Sequence, residues 1–327
     1  MSCTILFLQG GDKVFEWHKT IQAMVDIIEK QLYNNFDEEI TLTSLAKELG
    51  YSKFHITKRF KSLTGMTFRD YLRLRRLAYS VIELRDTNNR IIDVAVKYGF
   101  CSQEAYTRAF KNSYSTTPNE YRNKKMPLVL KNKHNTFDPY YLGIGESSMN
   151  KSELQEVTIA VLTLPAHKFL HIRNANADNY FGFWALQEKI PGQGCNTICG
   201  LLDSISGKLD SVTGKIGEFD GQIGGNFFDG AGRKGYAYGI RLPVNYSGEL
   251  PKQMLCIDVP QREYIVFAHP PFDYEKIGGS VNQAVSNAVD KYDFAAAGYE
   301  HDKTAIIYHV HSPEHIGCRM HVPVKKK

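Results

Sequence analysis

The sequence has no apolar run near the ~20 residues that a membrane-spanning helix needs, so a helical membrane partner is not expected. Its opening stretch, MSCTILFLQGGDK, holds one short apolar patch, Ile5 to Leu8, with no basic segment ahead of it. No signal peptide is read there. Cysteine is sparse: Cys3, Cys101, Cys195, Cys199, Cys256 and Cys318. Without export these are expected as reduced thiols in a cytoplasmic protein. Cys195 and Cys199, one helical turn apart, read as packing residues. No Gly-rich phosphate loop, nucleophile elbow or Cys/His zinc motif occurs. Enzyme function is therefore not expected, nor is a cofactor. Acidic residues are scarce in one stretch above all. From Ser52 to Lys125 there are 16 Lys and Arg against 6 Asp and Glu, a local charge of +10 in a chain of net +5, which leaves −5 for the rest. Such asymmetry points to a polyanionic partner for the basic stretch.

That stretch repeats itself. GYSKFHITKRFK, from Gly50, and GFCSQEAYTRAFK, from Gly99, share Gly-aromatic, a Ser, then Thr-basic-x-Phe-Lys. Before them lie TLTSLAKELG and RIIDVAVKYG, in which Leu42, Leu45, Ala46 and Leu49, and Ile91, Val94, Ala95 and Tyr98, recur at helical spacing. Each ends at Gly, suited to the left-handed conformation that closes a helix. Ser52 and Ser102 are good N-caps for a second helix. Helix, Gly turn and helix at this length form a helix-turn-helix unit, whose second helix enters the major groove of DNA.

The first such helix is expected over Ser52–Leu63, with Phe54 and Phe60 in the core and Lys53, Thr57, Lys58 and Lys61 outside. The second is expected over Ser102–Tyr114, with Tyr106 and Phe110 inside and Gln103, Glu104, Thr107, Arg108 and Lys111 exposed. Gln pairs with adenine, Arg with guanine, Glu with cytosine N4, and Lys mainly holds phosphate. Between the units, FRDYLRLRRLAYSVIELRD (Phe68–Asp86) keeps an apolar stripe at Tyr71, Leu72, Leu74, Leu77, Ala78, Val81, Ile82 and Leu84. A helix of this length spans about 28 Å, close to the ~34 Å between successive major grooves on one DNA face. Arg69, Arg73, Arg75 and Arg76 are expected to add cationic surface.

Residues 15–125 resemble the AraC/XylS-type DNA-binding domain, with helix-turn-helix units at about 41–64 and 90–114. The likeness is most specific over YGFCSQEAYTRAFKNSYSTTPNEYR, Tyr98–Arg122. It implies an all-α double helix-turn-helix fold and a bacterial transcriptional regulator that reads promoter DNA with two helices, RNA polymerase being a further partner. Lys58 stands where many relatives carry Arg, so a bidentate guanine contact is weakened there. Residues 1–14 read as a tail and 126–152 as a linker, in which Tyr140, Tyr141 and Leu142 can pack onto either domain.

From Glu153 a second repeat appears. VTIAVLTLPAHKFLHI and QMLCIDVPQREYIVFAH each hold two β-like runs around a Leu-Pro or Val-Pro. A helix candidate follows each, DNYFGFWALQEKI and YEKIGGSVNQAVSNAVDKY, and then a strand pair, with Asp229-Gly230 as a turn in the first. Two β-α-β-β halves are expected, curving around a groove. Between them Gly200, Gly207, Gly214 and Gly221 recur every seven residues in a coiled-coil-like pattern. Glycine in every heptad weakens a helix by ~1 kcal/mol each, and the favoured reading is one amphipathic helix over about 196–212, a dimerising helix being the alternative.

Residues 153–324 resemble the GyrI-like effector-binding domain, through Val259-Pro260 with Glu263 to Phe267, the helix around Trp184 and the closing HVPV. The resemblance implies an α+β fold and a pocket for a small-molecule effector, aromatic or lipophilic and often cationic in relatives. Tyr180, Trp184, Tyr238, Tyr264 and Tyr308 are its candidate walls. A buried Glu that relatives often carry two residues before the Tyr is replaced here by Ile306, which cannot offset the desolvation of a ligand cation. Glu300 is a weak substitute from a nearby loop. A few relatives that use this Glu and Tyr look like hydrolases, and losing the Glu argues against that chemistry. His301, His309, His311, His315 and His321 cluster near the end. His309 and His311 share a strand face and can ligate metal with Cys318 or His321, but scattered histidines are the ordinary reading and no metal is expected. The functional expectation is a ligand-controlled transcriptional regulator. The alternatives are an architectural or origin-type DNA binder whose second domain holds a protein, and a small-molecule hydrolase.

Overall fold

The computed structural model describes residues 11–34, 40–134, 154–207, 222–228, 232, 234–270, 272–312 and 317–327. Among these, 11–124 with 133–134 form one compact unit, and 125–132 with 154–327 form a second.

The first unit is helical: α1 (Gly11–Asn34), α2 (Leu42–Glu48), α3 (Lys53–Thr64), α4 (Phe68–Asp86), α5 (Ile91–Lys97), α6 (Gln103–Tyr114) and α7 (Pro118–Lys124). Helix α4 matches its expected span and presents Tyr71, Leu72, Leu77, Ala78, Val81 and Leu84 to the core. The same face also buries Arg75, which is 0% exposed. The expectation of a surface cation at that position is therefore corrected. Arg75 Nε donates to Glu29 Oε1 at 2.8 Å and Nη2 to Glu29 Oε2 at 2.6 Å, while the Tyr71 and Tyr79 hydroxyls donate to the same carboxylate. Burial pushes the Glu29 carboxyl up, but the Arg75 charge and the hydrogen bonds from Arg75 and Tyr71 outweigh it and hold the group below its ordinary value. At the other end of α4, buried Glu83 accepts from Lys97 Nζ, Tyr98 Oη and Asn89 Nδ2 at 2.6, 2.8 and 2.9 Å, tying α4 to α5. Arg69 is exposed, Arg73 pairs with Asp70, and Arg76 is half-buried beside Gly99.

The second unit is a half-barrel sheet with helices on one face. Its strands are β1 (Thr158–Leu164), β2 (His167–Asn174), β3 (Gln222–Phe228), β4 (Lys234–Leu242), β5 (Leu255–Val259), β6 (Arg262–His269), β7 (Tyr299–His301), β8 (Ile307–Ser312) and β9 (Gly317–Lys326); its helices are α8 (Tyr180–Gln187), α9 (Cys195–Ser206) and α10 (Tyr274–Lys291). The order is β1-β6-β9-β8-β3-β4-β2-β5, with β7 on β9 and all pairings antiparallel. The two β-like runs ahead of each helix form separate strands, so the leading one stands outside the β-α-β-β unit, and it joins the opposite half: β1 pairs with β6, and β5 with β2.

Helices α8 and α9 cover Leu170, Ile172, Tyr236, Ile240 and Leu242. Helix α10 covers Ile265, Phe267, Val322 and Val324. Alternate residues of the same strands form an inner cluster that, among the described residues, includes no helix residue; Phe169, Tyr264, Val266, Ile306 and Tyr308 belong to it. Helix α9 stops at Gly207, which takes φ 79°. The rest of the expected 196–212 helix, Gly214, Gly221, Asp229-Gly230, Tyr140 to Leu142 and His315 lie outside the described residues. Part of the stretch read as linker is packed: Leu128 and Leu130 are buried, and Leu130 N donates to Gly200 O at 3.4 Å. A Cβ on Gly200 would collide with the Leu130 carbonyl, so close backbone approach, not a heptad, accounts for that glycine. The Cys195 and Cys199 sulfurs lie 3.4 Å apart as free thiols on α9. Among the described residues no helix is long and apolar enough to cross a membrane.

Glu29→Ala should leave Arg75 charged and unpaired in the core, at a cost of about 3–5 kcal/mol. Hydrogen exchange of α4 amides should accelerate accordingly, with α10 amides unchanged. Because the folded carboxyl titrates below its ordinary value of about 4.5, its contribution is complete above that pH and fades as pH falls through the folded pKa. The protection of α4 should therefore drop in acid, and Glu29→Gln should flatten that dependence.

Candidate nucleic-acid interface

Both turns form as their glycines dictate. Gly50 and Gly99 take φ 74° and 75°, the left-handed region where a side chain is strained. The second helix of each unit then starts at a serine cap: Ser52 Oγ accepts from His55 N and Ser102 Oγ from Ala105 N, at 3.4 and 3.1 Å. One orphan donor per helix is met, and the remaining first-turn amides face outward with the dipole's positive end.

On α6 the arrangement follows the sequence expectation. Tyr106 and Phe110 are buried, and Tyr106 Oη donates to Ser80 Oγ of α4 at 2.9 Å. Gln103, Glu104, Arg108 and Lys111 are exposed, and Thr107 is half-buried. Glu104 is held below its ordinary carboxyl value by its own backbone amide and the Ser102 hydroxyl, with Arg108 one turn on adding to the effect. Its carboxylate therefore reaches back over the helix start rather than standing free.

On α3, Lys53, Thr57, Lys58 and Lys61 are exposed. The Thr57 hydroxyl donates to Lys53 O at 2.8 Å, which turns its methyl outward. Phe54 departs from expectation: it is 73% exposed, and Ile56 takes the core place with Phe60. At 100° per residue, Ile56, Phe60 and the next turn make one stripe, and Phe54 lies about 160° from Ile56. Registering the two copies exposes the same fact, since Phe54 matches Glu104 and Ile56 matches Tyr106. An exposed ring among lysines at a helix N-terminus suits contact with a thymine methyl.

The seven residues expected to line an effector pocket do not gather in one place. Tyr180, Trp184 and Tyr238 pack together under α8 and α9, with ring centroids 5.0 Å apart for Trp184–Tyr238. Tyr264, Ile306 and Tyr308 belong to the inner face, where Tyr308 Oη is 2.8 Å from His167 Nε2. Glu300 is exposed on β7, opposite Lys325, so it does not stand in for a carboxylate beside Ile306. His309 lies opposite Met320 and His311 opposite Cys318, whereas His321 lies opposite Tyr308 on the other face. Among the described residues no group of three metal-ligating side chains forms.

A helix-turn-helix domain model matches residues 45–124. The regulatory protein SoxS of Escherichia coli is 34% identical over 106 residues, which is 32% of this chain and 95% of SoxS. The right origin-binding protein of E. coli is 42% identical over 91 residues, 28% of this chain and 32% of that protein. The solved C-terminal domain of a two-component response regulator, yesN from Fusobacterium nucleatum, is 28% identical with a TM-score of 0.29, covering 32% of this chain and 98% of that domain.

The two turns should differ in their tolerance of a side chain. Gly50→Ala meets no neighbour and should lose only the conformational cost, about 1–2 kcal/mol. Gly99→Ala would also press on the Arg76 guanidinium, 2.8 Å away, and should lose more. Urea unfolding of the two variants side by side measures the difference.

Proposed function

We propose, starting from the fact that this chain belongs to the AraC/XylS family of helix-turn-helix DNA-binding transcription regulators, that α3 and α6 read neighbouring major-groove segments of a promoter and that the second unit, a GyrI-like effector-binding domain, controls this reading through a small molecule. The observation that carries the first half is the pair of serine-capped helices, each following a left-handed Gly and each presenting a polar, cationic row, both packed on α4, α3 through Phe60 on Tyr71 and α6 through Tyr106 on Ser80. In this reading Gln103 and Arg108 contact bases, Phe54 and the Thr57 methyl contact thymine, and Ser52, Lys53, Lys58, Lys61, Ser102, Thr107 and Lys111 lie at or beside the phosphates. Glu104 restricts the bases that α6 accepts. One chain then suffices for two groove segments, with RNA polymerase as the further partner of an activator and the cytoplasm as its place of work.

The control half rests on the inner face of the half-barrel, where Tyr264 and Tyr308 are buried in a cluster that, among the described residues, holds no helix residue. The protein is not read as an enzyme: Ile306 occupies the carboxylate position of the hydrolase-like relatives, and burial raises the Tyr308 hydroxyl pKa well above its ordinary value. A second reading, an origin-type DNA binder whose second unit holds a protein, draws on the 42% identity to the right origin-binding protein.

Binding-site selection from a random duplex pool, followed by titration on the selected and on random DNA, tests the assignment. Arg108→Ala should lose about 1–3 kcal/mol on the selected site and little on random duplex. Lys61→Ala should weaken both and lower the salt slope by about 1. Phe54→Ala should relax discrimination at thymine positions. Equal losses on both DNAs for Arg108→Ala would refute its base-reading role.

A further inference from the structure

Helix α9 opens on a cysteine and carries a second one turn later. Cys195 is its first residue, Cys199 lies four positions on, and their sulfurs are 3.4 Å apart as free thiols. Both side chains are half-buried, at the margin of the cluster beneath α8 and α9. The turn that carries them is held from several sides. The cap position is Gly194, which offers no side chain, and Glu188 Oε1 serves instead by accepting from Cys195 N at 2.8 Å. Gln222 Nε2, from β3, donates to Cys199 O at 3.0 Å. The Tyr238 hydroxyl of β4 lies against the Cys199 sulfur. The fold thus sets the distance between the two thiols.

That distance selects the chemistry. Side chains at i and i+4 of a helix keep their Cβ atoms about 5–6 Å apart, whereas a disulfide needs them within about 4.5 Å. The pair therefore closes on itself only by unwinding the first turn of α9, which Glu188 and Gln222 oppose. A bridging atom needs no unwinding. Two bonds to sulfur of about 2.3 Å, the length found at zinc thiolates, hold their sulfurs about 3.3 Å apart when they meet near a right angle and about 4.6 Å apart in a line. The 3.4 Å separation fits the angular case. Zinc takes at least three protein ligands, and among the described residues no third His, Cys, Asp or Glu joins the pair. What fits is a bent, sulfur-seeking centre that needs two protein sulfurs and brings its own third substituent. Trivalent arsenic bearing one organic group has that geometry.

We infer that Cys195 and Cys199 form a dithiol site for a trivalent organic arsenical, R–As(OH)2, received at the half-buried first turn of α9. Two S–H bonds and two As–OH bonds break, two As–S bonds form, and two waters leave with the thiol protons. No electron is transferred, and arsenic stays trivalent. The bridge ties the first residue of α9 to its next turn and so clamps the start of the helix. The site is independent of the effector reading of the inner face.

Treating the full chain with phenylarsine oxide, which hydrates to the dihydroxide, tests the inference. Intact-mass spectrometry in excess glutathione should find one phenylarsenic group per chain, because a monothiol competes poorly with two fixed sulfurs, and 2,3-dimercaptopropanol should remove it. Cys195→Ser and Cys199→Ser should each weaken retention about a hundredfold, since the second bond then loses its effective concentration. Thermal unfolding of each untreated variant reports that it folds. Cys101→Ser and Cys256→Ser, at exposed single thiols, should retain the group. In the loaded wild-type chain, hydrogen exchange of the Ile198 and Cys199 amides should slow, a reading that needs no substitution. Loss of the group to glutathione from the wild-type chain would overturn the inference. So would its retention after Cys195→Ser or Cys199→Ser, or unchanged exchange at the start of α9 in the loaded chain.

Discussion

The buried ion pair between Arg75 and Glu29 fixes where α4 lies on α1, and both recognition helices take their positions from α4. A guanidinium out of water must find its partners at one place. Glu29 offers both oxygens, and the Tyr71 and Tyr79 hydroxyls fill its remaining acceptor sites. A slide of α4 by one residue would turn Arg75 by 100° and strand both charges. Such a pair adds little net stability over an apolar substitute, and its value here is register. Glu83 performs the same service toward α5 with Lys97, Tyr98 and Asn89. The second recognition helix is then held through Tyr106 and Ser80. A rod pinned at two points along its length can keep two reading helices at a set spacing, which a flexible link cannot.

Much of the first unit was legible because local and tertiary signals agree. Gly50 and Gly99, Ser52 and Ser102, and the 3.6-residue stripe of α4 each specify one conformation, and each formed as expected. The failures fall where a residue's type misleads about its face. Phe54 is apolar, which suggests the inside, yet its angular position puts it outside. Arg75 is charged, which suggests the outside, yet it faces α1. Periodicity assigns a position to a face without regard to chemistry, and in both cases the period was right where the residue type was not. In the second unit the strands and helices were legible, but not the exchange of leading strands. Pairing between β1 and β6 joins residues about a hundred positions apart, and nothing local encodes it. Leu128 and Leu130 carry no such signal, because so short an alternation looks like linker.

The strand exchange has an energetic consequence. Each half of the second unit lacks one strand of its own sheet and receives it from the other half. Neither half can bury the inner cluster alone, because Leu164 of β1 and Val259 of β5 belong to it with residues of both halves. The unit is therefore expected to fold as one cooperative body despite its internal repeat. The central β3–β8 pair carries Gly225 opposite Tyr308, and a Cβ at Gly225 would press on Ile306 and the Ile307 carbonyl. That glycine lets the two halves meet closely at the seam.

Charge explains why the inner face could not be read from composition. Outside the basic stretch the chain carries −5, yet the strands send their arginines inward and Asp258 and Glu263 outward. Alternation separates neighbours such as Arg262 and Glu263 onto opposite faces, so a sum over sequence cancels what the structure keeps apart. The histidines of the inner face do not add to its charge at neutral pH. Burial lowers His171 to about 4 and, with Arg241 and Arg319 beside it, His321 to about 3; burial, with Arg241 adding to it, also lowers His167. They stand as neutral rings with one donor and one acceptor each. The charge of this face is therefore set by its arginines together with Lys325, Asp302 and Glu300, and does not change with histidine protonation near neutral pH.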